Sequence, residues 1–145
     1  MATVPYERRA HYHETDQMGV IYHANYIRWF EEARVDFMNQ LGLSYKALEE
    51  AGVISPVISM HLDYKASVKF DDLVLIYVDL TLFDGVRMSV RYRVADKATG
   101  QLKCAGESKH CFINNNGRPM SIKKACPEYY DLYSAAVEIN KEYFI

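Results

Sequence analysis

The sequence has 145 residues, with 17 Lys and Arg against 19 Asp and Glu and a net charge of −2 when histidines are neutral. A chain of this length forms one domain, residues 1–145, and buries roughly 70% of its unfolded surface without disulfides or a structural metal. A hydrophobic half and a charged quarter argue against disorder, and the balanced charge argues against nucleic acid as the main partner, because it provides no broad phosphate-binding field.

The opening stretch MATVPYERRA contains no apolar run, and the longest uncharged stretch, residues 51–62, is interrupted by Gly52 and Pro56. Neither a signal peptide nor a membrane span is predicted. Residues 6–13 read as a first, polar strand. Residues 24–41 lack Gly and Pro and read as a helix about 27 Å long, with Ile27, Phe30, Phe37, Met38 and Leu41 in one arc at 100° per residue. Glu31 and Arg34 lie about 60° apart inside that arc, which predicts a buried ion pair bracing the helix. Ser44 caps a shorter helix that stops at Gly52.

Beyond it, Ile58, Met60, Leu62 and Tyr64 alternate with polar residues, as do Val74 to Leu82 and Val86 to Val94. Asp84-Gly85, Thr99-Gly100 and Asn116-Gly117 are hairpin-type turn signals. Pro127 opens a last helix with a stripe of Tyr130, Tyr133, Ala136 and Val137, expected at an edge or partner surface. About five antiparallel strands and one long helix predict an α+β domain in which the sheet wraps the helix. Cys104, Cys111 and Cys126 show no C-x-x-C spacing, and no N-x-S/T sequon occurs; a reducing, cytoplasmic location is expected.

Chemistry concentrates in HETDQMGVIYHANY, residues 13–26. Asp16 follows the first strand, Gly19 frees the backbone, and His23 stands seven positions on, where a helix begins. Unpaired amides at a helix start can polarise a carbonyl while a carboxylate attacks it or activates water. The residues alone leave two readings of Asp16 open, a helix cap and a reacting group. His11 and His13 share a strand face near Asp16, the one conceivable metal set, and no metal is expected.

The string TDQMGVIYHANYIRWFEEAR resembles the signature of the hotdog-fold thioesterases of the 4-hydroxybenzoyl-CoA thioesterase group, particularly the Tol-Pal-associated bacterial acyl-CoA thioesterases. The pattern is carried by Thr15, Asp16, Gly19, Tyr22, His23, Tyr26, Glu31 and Arg34, with further likeness at Phe70-Asp71-Asp72 and Glu107. The resemblance implies a hotdog fold, a five-stranded antiparallel sheet wrapped around one long central helix, assembled as a homodimer or homotetramer. It implies hydrolysis of acyl-CoA to free acid and CoA with no cofactor. Asp16 would be the catalytic nucleophile or general base and His23 its catalytic neighbour, while Gly19, Tyr22, Tyr26 and Arg87 would bind substrate. Lys65, Lys69 and Lys109 are further candidates for the CoA phosphates, and Trp29, Pro56 and Ser59 for the acyl pocket. The other function class carried forward is an acyl-CoA-binding module without catalysis.

Overall fold

Alternation of apolar and polar residues makes long strands, and long strands curve. In the computed structural model, which describes residues 2–145, the sheet is formed by β1 (Tyr6–Arg9), β2 (Val57–Tyr64), β3 (Leu73–Phe83), β4 (Arg87–Asp96) and β5 (Leu102–Cys111). All neighbours are antiparallel, in the order β1-β3-β4-β5-β2. The long helix α1 (Asn25–Gln40) lies in the concave face, followed by α2 (Tyr45–Glu50), α3 (Ile122–Ala125) and α4 (Pro127–Ala136). This is the α+β arrangement that the strand and helix patterns predict and the hotdog fold that the resemblance implies. No helix among the described residues is long and apolar enough to cross a membrane.

The core is a helix face pressed on a sheet face. Tyr26, Trp29, Phe30, Ala33, Phe37 and Met38 of α1 are buried against Val74, Ile76, Val78, Leu80, Met88, Val90, Tyr92, Val94 and Cys104. Burying each large apolar side chain contributes about 1.5–3 kcal/mol. Phe30 sets the approach distance: its ring stacks on Tyr92 at 4.3 Å and 3° and lies over Gly106, the next residue across the sheet from Tyr92. A methyl group at Gly106 would stand 2.5 Å from Phe30 Cε2 and 2.8 Å from the His61 carbonyl oxygen.

Three expectations are corrected here. The first strand ends at Arg9, not at residue 13, because Tyr12–Glu14 coils into a 3-10 turn that swings Glu14 inward. Ile27 is 42% exposed; the buried arc also takes in Tyr26, Trp29 and Ala33, so its centre is turned by about half a residue, roughly 50° at 100° per residue, from the arc expected. That rotation also undoes the Glu31–Arg34 pair. Glu31 is exposed, whereas Arg34 is 6% exposed and donates to the hydroxyls of Tyr45 (3.1 Å) and Tyr92 (2.9 Å).

The last helix finds its partner within the chain. Tyr133 of α4 is fully buried, stacked on Phe83 at 4.9 Å and edge-on to Phe112. Beyond it Asn140 ties the chain end to the convex side of the sheet, through Asp79 Oδ1, the Val78 carbonyl and Thr3.

Gly106→Ala should lower stability by about 1–3 kcal/mol, the usual cost of overpacking, because both Phe30 and the β2 backbone must give way. Thermal or urea unfolding measures this, and an unchanged midpoint would contradict the packing described.

Candidate active site

The residues around Asp16 are organised by a carboxylate that no sequence pattern singles out. Glu14 is 5% exposed. Its Oε1 accepts from Arg8 Nη1 (3.0 Å) and the His11 amide (2.8 Å), and its Oε2 from Arg8 Nη2 (2.8 Å) and Trp29 Nε1 (2.8 Å). Burial pushes its pKa up, but the bonds from Trp29, His11 and Arg8 outweigh burial and hold it below the usual carboxylate range. Its carbonyl accepts from the Tyr22 amide (2.9 Å) and Asn25 Nδ2 (2.8 Å). The only sequence clue is the His11-x-x-Glu14 spacing, that of a capping box, with His in the cap position.

From that anchor residues 15–21 fold back as a short loop. Thr15 bridges Ile21, the Asp16 amide donates to the Val20 carbonyl (2.8 Å), and the reversal passes through Gly19 at φ +78°. Asp16 Oδ1 accepts from the Met18 amide at 2.8 Å; Oδ2 has no hydrogen-bond partner among the described residues. Asp16 therefore caps its own turn with one oxygen and keeps the other free.

That carboxylate lines a cavity of about 330 Å³ together with Met18, Val20, Ile21, His23, Tyr26, Tyr64, Lys65, Ala66 and Ser67. Three predicted residues, Asp16, His23 and Tyr26, thus meet in one place. The floor is apolar, with Tyr26 and Ile21 buried. The wall is Tyr64 of β2, whose hydroxyl donates to the His23 carbonyl (3.0 Å) and whose ring stands edge-on to those of Tyr26 (5.5 Å) and His23 (6.3 Å). Sequence reasoning placed Tyr64 in a strand and missed this role. His23 sits in the turn just before α1, and the amides of His23 and Ala24 have no acceptor among the described residues. Unpaired amides at the start of a helix are donors for a developing negative charge.

The remaining candidates fall elsewhere. Gly19 shapes the loop without lining the cavity, and Tyr22 is exposed with its ring against His23 at 4.3 Å. Trp29 is buried behind the site on Glu14, while Lys65 lines the cavity and Lys69, Lys109, Pro56 and Ser59 do not. Arg87 is not beside Asp16 within one chain. It pairs with Cys111, whereas Tyr64 at the cavity pairs with Cys104 and so with Val94, which puts Arg87 roughly 23 Å away along β4.

Two alternatives lose their support. The side chains whose metal-ligating atoms converge are His11, His13 and Glu14, not Asp16, and all four acceptor directions of Glu14 are already taken. A larger groove of about 610 Å³ runs along Tyr6, Arg28, Glu31, Glu32 and Val35. Its Glu32 is paired with Arg8 and Tyr6, and it runs along the middle of α1 and faces no helix start.

Further along α1, the buried Arg34 opens a hydrogen-bonded chain through Tyr92, Ser108 Oγ (2.6 Å) and His110 Nε2 (2.7 Å). Burial, then the Arg34 charge, lowers the His110 pKa to about 4. A histidine kept neutral in the fold binds fewer protons than in the unfolded chain, where it titrates near 6.5. Its contribution is complete above about pH 6.5 and is lost as the pH falls towards 4. The unfolding free energy should drop by about 2 kcal/mol from this group between pH 7 and 4.5. His110→Gln should remove most of that drop, and urea unfolding at the two pH values that shows the same drop in both proteins would contradict it.

Comparison with known proteins bears on what this site does. Residues 10–141 match the thioesterase-like superfamily. The chain is 31% identical to the acyl-CoA thioester hydrolase YbgC of Escherichia coli O157:H7 over 117 residues, 81% of this chain and 87% of that protein. It is 30% identical to the acyl-CoA thioesterase YbgC of Haemophilus influenzae over 108 residues, 70% of this chain and 79% of the other. Among solved structures it superposes on a DHNA-CoA thioesterase from Staphylococcus aureus with a TM-score of 0.89 and 33% identity, covering 96% of this chain and 93% of that one.

Proposed function

This chain belongs to the thioesterase-like superfamily, and we propose that it hydrolyses acyl-CoA thioesters to a free acid and CoA, acting as one catalytic domain over its whole length. The observation that carries this reading is the meeting of a half-free carboxylate, Asp16 Oδ2, with His23 on a single cavity, where the amides of His23 and of Ala24 next to it are open.

The thioester carbonyl sits in the cavity with its oxygen towards the His23 and Ala24 amides, which stabilise the oxyanion as the carbon becomes tetrahedral. Asp16 Oδ2 either takes the proton of an attacking water or attacks the carbon itself; the same atom serves both routes. The C–S bond then breaks and the electron pair leaves on the CoA thiolate, a good leaving group; on the covalent route a water then hydrolyses the anhydride formed on Asp16, releasing the acid and returning the carboxylate. His23 orients the water or protonates that thiolate. Tyr26 and Tyr64 form the apolar wall for the acyl group.

Strand β2 is an unpaired sheet edge of eight residues, with Val57, Ile58 and Tyr64 about half exposed, an arrangement that invites pairing with another chain. Two copies joined antiparallel through β2 would form one ten-stranded sheet. The start of the partner's β2 would lie beside Tyr64, and with it the end of the partner's sheet that carries Arg87. On this reading the partner's Arg87 and the chain's own Lys65 receive the anionic part of CoA, and the homotetramer expected from the resemblance is a pair of such dimers. Three free cysteines, one of them, Cys104, with its thiol pushed up to about 12 mainly by burial, suit a reducing cytoplasm.

Asp16→Asn should lower kcat by about 10³-fold or more with little change in KM, as expected for a group used in the transition state. Thiol release from a panel of acyl-CoAs measures this, and near-native turnover would contradict the assignment, as would stoichiometric acyl-CoA binding without any thiol release. Arg87→Ala should raise KM several-fold at unchanged kcat, and added salt should raise the wild-type KM. An unaltered KM removes Arg87 from the site.

A further inference from the structure

We infer that Glu14 is a positioning residue for the reaction: its buried carboxylate fixes the Asp16 loop relative to the start of α1. The inference rests on the reading of Asp16 as the reacting carboxylate and adds a residue to which no role in the reaction is otherwise assigned.

Glu14 is the one residue that ties every part of the site's frame. Its side chain holds β1 through Arg8, the 3-10 turn through the His11 amide, and the body of α1 through Trp29. Its carbonyl holds both the return of the loop, at the Tyr22 amide, and the first turn of α1, at Asn25 Nδ2. Asp16 is two residues further along the chain, and the open amides of His23 and Ala24 follow Tyr22 directly. The distance between the attacking oxygen and the donors for the oxyanion is therefore set through Glu14. Arg8 is itself held by Glu32 at 2.8 Å, so the anchor has a second carboxylate behind it.

Charge-assisted bonds to a carboxylate with all acceptor directions filled are strong and directional. Gln fills the same volume and still accepts from Trp29, but its NH2 faces the Arg8 or His11 donors, so at least one bond becomes a clash of hydrogens. A displacement of about 1 Å in a reacting group costs on the order of 10² in rate. The loss should appear in kcat, since neither Glu14 nor its partners line the cavity.

The test is thiol-release kinetics on the full chain for Glu14→Gln, Trp29→Phe and Asp16→Asn, and for Glu14→Gln combined with Asp16→Asn, all well below their unfolding temperatures. Glu14→Gln should lower kcat about 30- to 100-fold with KM changed less than about threefold. Trp29→Phe, which keeps an aromatic ring and removes the N–H donor together with part of the buried indole, should lower kcat about 3- to 10-fold. In the Asp16→Asn background, Glu14→Gln should have no further effect on kcat, because a group that acts through Asp16 has nothing left to position. The inference is overturned if Glu14→Gln lowers only the melting temperature and leaves kcat intact, or if its effect multiplies undiminished onto Asp16→Asn. Should Glu14→Gln fail to fold, an unchanged kcat in Trp29→Phe overturns it alone. An active Asp16→Asn protein instead defeats the underlying reading of the site, whereas an inactive one beside a fully active Glu14→Gln defeats only the positioning role.

Discussion

A carboxylate buried under the site is the constraint on which the rest depends. Taking Glu14 out of water carries a desolvation cost of several kcal/mol, which is offset only because four N–H donors from three parts of the chain converge on it. Those donors reach it only when β1, the 3-10 turn and α1 are all in place. The fold therefore cannot form this knot without also placing Asp16 in front of the helix start, and the position of the site is a by-product of satisfying one buried charge.

The other end of α1 is held on different terms. Arg34 is a buried cation whose hydrogen-bond partners are the hydroxyls of Tyr45 and Tyr92. Hydroxyl dipoles, extended through Ser108 to a neutral His110, take the place of a counter-ion. The helix is thus pinned by an anion near its beginning and a cation towards its end, with the Phe30–Tyr92 stack over Gly106 between them. Both charges are located by polar networks of defined geometry, which fix the rotation of the helix more narrowly than apolar packing alone.

That rotation also explains what was legible in the sequence. The strands from Val57 onward were, because alternation over eight or more residues has few alternative readings, and Gly85 and Gly100 mark their turns. The helix bounds were legible too, and Asp16, His23 and Tyr26 do share a cavity. The facing of the helix was not. Counting Ile27 as apolar and therefore buried drew the arc towards Glu31, when Trp29, held by its indole N–H, fixes the opposite side. Glu14 was hidden because a carboxylate just past a polar segment looks solvated until its long-range donors are known. Arg87 shows a third limit: motif spacing gives a position in the chain, and only the register shows that within one chain it lies at the far end of the sheet from Asp16.

In the mechanism proposed, one carbonyl is gripped between Asp16 and the amides before α1. The most direct measurement is a crystal structure of the Asp16→Asn protein with an intact acyl-CoA bound. The thioester carbonyl oxygen should lie within hydrogen-bonding distance, about 3 Å, of the His23 or Ala24 amide, with the residue-16 side chain beside the carbonyl carbon. A thioester bound elsewhere, or one whose carbonyl turns away from those amides, would contradict it.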